Sequence, residues 1–189
     1  MNAWELPTSL QVGGEEWKIR TDFRAILDIL KYFSDPEYEL DEQWEICLDI
    51  LYEDYEHMPY HLQNEAAEKA MEFIDMGIKD DGKRKPQTMD WEKDAAVIIP
   101  SVNRVLGKEV RVLEYLHWWT FLGAYMEIGE SLFSQIISIR QKKAKNKKLE
   151  KWEQEFYKEN KALIDLPVKR VERDQEEKNE LLTLFGIRK

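Results

Sequence analysis

Three histidines, one cysteine and a basic run are the residues of this 189-residue chain whose types and spacing could do chemistry. His57 and His61 stand four apart, the spacing at which two imidazoles on one helix face share a zinc ion. A His-Glu-x-x-His site needs a glutamate between them as general base, and here Met58-Pro59-Tyr60 intervene. Pro59 also opposes one continuous helix through both rings, so they read as surface histidines flanking a helix start. Glu53, Asp54 and Glu56 offer hard oxygens but lack the glycine and ligand spacing of an EF-hand loop, and they read as a solvated face. His117 precedes Trp118-Trp119 with no nucleophile or second titrating group in a recognisable motif beside it, so it reads as a hydrogen-bonded structural histidine. Cys47, between Ile46 and Leu48, reads as buried and inert. A lone cysteine also permits neither an internal disulfide nor a cysteine-based zinc site. Without a Gly-x-Ser-x-Gly elbow, a phosphate loop or a Rossmann glycine fingerprint, the expectation is a protein that is not an enzyme, with no catalytic, cofactor-binding or metal-binding residues.

The basic run is Arg140, Lys142, Lys143, Lys145, Lys147, Lys148 and Lys151. It is not interleaved with aromatics and so lacks the stacking groups of a single-strand binder. The net charge of −10 argues against indiscriminate nucleic-acid binding by the whole chain. That charge is unevenly spread. Residues 1–82 hold 21 Asp/Glu against 6 Lys/Arg, a net of −15, and residues 83–189 hold 17 against 22, a net of +5. Such polarity suits head-to-tail self-association or docking on a charged partner; the plainer reading is a solvated helix face plus a loop. Trp118, Trp119, Phe121 and Tyr125 fall within eight residues and cover most of a helix circumference. With Trp152 and Phe156 they are the candidate partner-binding residues, core packing being the alternative.

These side chains need elements to position them, and the pattern predicts a mainly α fold. Leu10-Gln11-Val12, Gly13-Gly14 and Trp17-Lys18-Ile19 alternate about a two-residue turn, predicting a β-hairpin at about 8–20. Thr21-Asp22 caps a helix carrying Phe23, Ile26, Leu27 and Leu30, which Ser34-Asp35-Pro36 ends. Asp41 is expected to cap a second helix with Trp44, Leu48 and Leu51 on one face, and Pro59 to sit in the first turn of a third, which Gly77 closes. A polar linker at about 80–89 separates the acidic from the basic half. Asp90 is expected to cap a helix that Pro100 kinks or restarts. The apolar stretch from Val112 to Tyr125 reads as the central core helix. A further helix starts at Leu132, and an amphipathic one carries Leu149, Trp152, Phe156, Leu163 and Ile164 up to Pro167. Together these make one compact multi-helix domain over 1–165. The charged residues 166–189 read as a mobile segment with a short terminal helix at Leu181, Leu182, Leu184 and Phe185. The longest uncharged run, Tyr115 to Met126, falls short of the ~20 residues a membrane span needs. The start lacks a signal-peptide pattern, so a cytoplasmic protein is expected.

Two segments carry a family resemblance, and a third supports it. The stretch from Leu6 to Arg24, with its glycine turn and Ile19-Arg20-Thr21-Asp22-Phe23-Arg24, resembles the start of the bacteriophage gp-fifteen family. Leu116-His117-Trp118-Trp119 and the later Phe133-Ser134-x-Ile136-Ile137-x-x-Arg140 are similar to its other signatures, so the likeness spans about 6–165. Pro100 departs from it, standing where relatives continue a helix without proline. The family comes from tailed phages and prophages, with genes between the major tail protein and the tape-measure protein. The resemblance therefore implies a non-enzymatic tail-morphogenesis protein in the host cytoplasm. Its expected partners are the tape-measure protein, the tail-tube protein or both, in the manner of a tail assembly chaperone. A structural component of the mature tail and a small helical nucleic-acid-binding regulator are the alternatives.

Overall fold

The computed structural model describes residues 4–78 and 86–167. The expected terminal helix at 181–185 and most of the expected linker lie outside the described residues.

The hairpin follows from its turn. Gly13 and Gly14 sit at φ 62° and 81°, the positive angles a type I′ connection needs at both positions. β1 (Ser9–Val12) and β2 (Glu15–Lys18) pair antiparallel, Leu10 opposite Trp17 and Val12 opposite Glu15. Leu10 and Val12, two apart on one face, are buried, and β1 packs on α3 (Gln63–Ile74). A Cβ at Gly13 would stand 2.7 Å from a Leu62 methyl carbon, so that side chain would have to shift.

α1 (Phe23–Phe33) starts where expected, with Asp22 accepting from the Arg24 N–H (3.0 Å). α2 (Leu40–Leu51) starts earlier than expected, because Glu39 and Glu42 form a reciprocal capping box and leave Asp41 inside the first turn. Pro59 precedes a 3₁₀ turn at Tyr60–Leu62 rather than entering α3. Gly77, at φ 71°, closes α3 by donating its N–H to Glu72 O (2.8 Å).

α4 (Ala95–Leu106) departs from expectation at its start. Asp90 caps only the turn before it, accepting from the N–H groups of Glu92 and Lys93, and the helix runs through Pro100 without a restart. Pro100 and Ala96, whose carbonyl loses its N–H partner, are both exposed, so water can satisfy that carbonyl. The expected central helix is also shorter. α5 spans only Trp118–Met126, Val112 lies on a 3₁₀ turn at 77% exposure, and Leu116 belongs to an extended connection. α6 (Leu132–Ala144) starts from a Ser131–Ser134 capping box. The expected amphipathic helix is two, α7 (Lys151–Glu159) and α8 (Lys161–Ile164). They part at Asn160, the C-cap of α7 at φ −117°, where both the backbone N–H and the side-chain amide donate to Phe156 O (3.0 Å each).

α5 lies between two groups of elements, touching α1 on one side and α4 on the other. The hairpin and α1–α3 form the first group; α4, α6, α7 and α8 form the second. Buried apolar residues from Leu10 to Ile164 make one core, with Phe23 stacked on Phe121 at 4.6 Å across the middle. Among the described residues, no helix is long and apolar enough to cross a membrane.

The second group is knit by a buried ion pair. Arg140 and Asp94, 6% and 0% exposed, meet through two bonds of 2.6 and 2.8 Å. The guanidinium also donates to the carbonyls of Ile164 (2.6 Å), Thr88 (3.0 Å) and Leu163 (3.1 Å), so α4, α6 and α8 share one charge. Removing one partner strands the other charge in the core. Arg140→Ala is expected to cost about 3–5 kcal/mol, read as the loss of unfolding free energy in urea. A loss below about 1 kcal/mol would show that the pair does not anchor these helices.

Candidate functional site

The two resemblance-bearing segments meet in space. Residues 19–24 leave the hairpin and run as a seam between the helical groups. The Arg20 N–H donates to Leu51 O (2.8 Å), and its guanidinium donates to the carbonyls of Asp49, Ile50 and Tyr52 at 2.7–3.1 Å. A cation thus serves the end of α2, where unpaired carbonyls gather. On the other side, the Phe23 N–H donates to Leu116 O (3.0 Å) and the Trp118 N–H to Thr21 O (2.7 Å). Asp22, besides capping α1, accepts the Leu116 N–H (3.0 Å), and Arg24 donates to Leu113 O (2.7 Å). His117 caps α5, its Nδ1 accepting from the Trp119 N–H (3.0 Å). Nε2 therefore carries the proton and donates to Pro7 O (3.0 Å). The indoles of Trp118 and Trp119 each donate at 2.8 Å to carbonyls ending α3, those of Ile74 and Phe73. The arrangement is structural: the backbone groups, imidazole nitrogens and indole N–H groups named in it are bonded inside the fold.

The open surface lies elsewhere. α2 carries a core stripe, Cys47 and Leu51, and beside it a second stripe of Leu40, Trp44 and Leu48 spaced i, i+4. α3 does the same, with Ala66, Ala70 and Phe73 buried and Ala67 and Met71 alongside. Tyr52 Oη, donating to Ala66 O (2.9 Å), ties the two helices. The second stripes line a groove of about 1000 Å³. Leu40, Tyr60 and Met71 on its walls are 63%, 87% and 42% exposed, and Asp41, Glu45 and Glu68 supply its rim. Exposed apolar residues gathered in a concavity mark a partner site.

The family model described as Bacteriophage Gp15 protein matches residues 3–166. The chain belongs to the bacteriophage Gp15 family. No curated protein and no solved structure matches it. The match takes in the hairpin, all eight described α-helices and both halves of the seam.

Within this Gp15-family fold, the six aromatics proposed for partner binding divide. Trp118 and Phe121 are core residues at 1% and 0% exposure, which corrects their placement on a partner surface. The reason is that α5 is enclosed by both helical groups. Trp119 and Tyr125 are half-buried, Trp119 against Phe73 and Tyr125 against Trp91 (4.9 Å), and Phe156 packs on the core. Trp152 is the exposed one, at 54%. The basic run divides as well. Arg140 is buried, Lys142 donates to both oxygens of the buried Glu153 (2.7 and 2.8 Å), and Lys143 pairs with Asp165 (2.6 Å) over the Tyr157 ring. These three are internal ties. Lys145, Lys147, Lys148 and Lys151 are exposed.

Among the described residues, no cluster of His, Cys, Asp and Glu is placed to hold a metal. His57 lies on a 3₁₀ turn at Tyr55–His57 and His61 on the next one. Cys47 is fully buried, and burial pushes its thiol up to about 12. The groove residues Leu40, Tyr60 and Met71 were not singled out by the sequence pattern; the signal for them is that α2 and α3 carry more apolar positions than one buried face uses.

Burial pushes His117 below the usual imidazole value, outweighing the opposing pull of the Pro7 carbonyl. The unfolded chain then takes up a proton before the folded one does. Stability is unaffected well above pH ~6.5 and falls as pH drops below it. His117→Asn keeps a capping oxygen but does not titrate. The unfolding free energy of the native chain should fall more steeply than that of this variant between about pH 6.5 and 5. Equal slopes would contradict the assignment.

Proposed function

We propose that this Gp15-family protein is a non-enzymatic tail-morphogenesis factor, an assembly chaperone whose α2–α3 groove holds an apolar helix of the tape-measure protein. The observation that carries the reading is the groove itself. Leu40, Tyr60 and Met71 stand exposed in a fold whose other large apolar side chains are mostly enclosed. A groove between two helices suits an amphipathic partner helix, read through anchors three and four residues apart. The acidic rim of Asp41, Glu45 and Glu68, on a half of net charge −15, helps keep a complex with an aggregation-prone helix in solution. The walls are fixed beforehand by Tyr52, Arg20 and the two indoles, so little ordering is left to be done on binding. A nucleic-acid role has less support, since three of the seven basic residues are engaged inside the fold.

Co-expression with the tape-measure protein of the same phage tests this. The native chain should render that protein soluble and co-purify with it. Leu40→Glu with Met71→Glu removes two exposed anchors and should lower recovery roughly tenfold or more. The variant's circular dichroism should stay native, because neither side chain is in the core. Undiminished recovery would place the client elsewhere.

A further inference from the structure

We propose that the α2–α3 groove also receives Trp152 of a second copy of this chain, giving a head-to-tail contact between copies. Trp152 stands 54% exposed in the first turn of α7. Lys145, Lys147, Lys148 and Lys151 lie around it in the chain, all exposed, against two exposed carboxylates, Glu150 and Glu155. Lys142 and Lys143, which point into internal pairs, add nothing to that surface. The groove offers the complement: an apolar floor at Trp44 and Ala67 with Asp41, Glu45 and Glu68 on its rim. An exposed indole next to four exposed lysines matches a hydrophobic slot with carboxylates on its rim. Tryptophan is also the side chain most able to anchor a small interface when rim contacts exclude water around it.

The topology decides who supplies the indole. α2 and α3 pack with α1 and β1, whereas α7 packs on α8, which packs on α6. α5 stands between these groups, so knob and groove belong to opposite ends of one molecule. The acidic charge lies in the first part of the chain, a net of −15 over residues 1–82, whereas residues 86–167 hold 13 Lys/Arg against 12 Asp/Glu, so the positive charge of the second group is local to Lys145–Lys151. Because the two surfaces differ, the contact is heterologous: each copy keeps one unused knob or groove, and association continues into a ring or an open filament. A tape-measure helix bound as proposed above would compete for the groove, but the copy-to-copy contact does not depend on that reading.

Sedimentation velocity on the full chain alone tests the proposal. At roughly 100 μM in low salt the native chain should form species beyond the dimer. These should diminish in ~1 M salt, where screening shortens the reach of charge to about 3 Å. Trp152→Glu removes the knob, and Leu40→Glu with Met71→Glu spoils the groove, so each variant alone should be monomeric. Mixed, they should give a one-to-one dimer, because one keeps the groove and the other keeps the knob. A symmetric interface would not be restored by mixing and would overturn the proposal. So would a native chain that stays monomeric, or a Trp152→Glu variant that associates like the native chain. If a groove variant loses its circular dichroism signature, charge reversal decides instead. Lys148→Glu with Lys151→Glu should abolish association, and Glu45→Lys with Glu68→Lys in a second chain should restore it on mixing; no restoration overturns the proposal. No tape-measure protein is present, so failure here leaves the chaperone reading standing, and failed co-purification leaves self-association standing.

Discussion

The fold depends on the seam at which residues 21–23 and 116–118 exchange backbone hydrogen bonds. Three short bonds cross it, and Asp22 stands at the middle with one carboxylate oxygen on the Arg24 N–H and the other on the Leu116 N–H. Each buried donor left unpaired would cost about 1–3 kcal/mol, so the seam forms as a unit or not at all. Phe23 and Phe121 stack directly beneath it. From the seam the chain reaches outward, Arg20 to the end of α2 and the two indoles to the end of α3. Residues 19–24 and 116–119 are thus the two faces of one joint.

That economy explains where function can reside. Residues committed to the joint have no capacity left for a ligand, and the buried ion pair at the far end is equally saturated. What remains open is the second apolar stripe on α2 and α3. Its walls are held by contacts that exist without a partner. The exposed lysines and Trp152 lie on the group of helices across α5 from that stripe.

Much of this was legible in the sequence. The glycine pair, the Asp22 cap and the Gly77 stop are local rules, and the structure follows them. The errors came from contacts distant in sequence. Val112 to Leu116 reads as helix on apolar content, but the Leu116 N–H goes to Asp22 and the Leu113 carbonyl to Arg24 instead. Trp118 and Phe121 read equally well as surface or core, because enclosure from two sides leaves no one-sided pattern. Arg140 looks like one of seven similar cations; only the fold brings it to Asp94, 46 positions earlier. The groove was hidden for the converse reason, since a surplus of apolar residues on α2 reads as core until their exposure is known.

Native-state hydrogen exchange tests the central claim most directly. If the seam joins the two helical groups into one cooperative unit, the amides of Phe23, Leu116 and Trp118 open only with the whole molecule. Their opening free energies should equal the global unfolding free energy and share its full denaturant dependence. Exchange of these amides through a shallow, denaturant-insensitive opening several kcal/mol below the global value would show that the halves part independently, and would contradict the account.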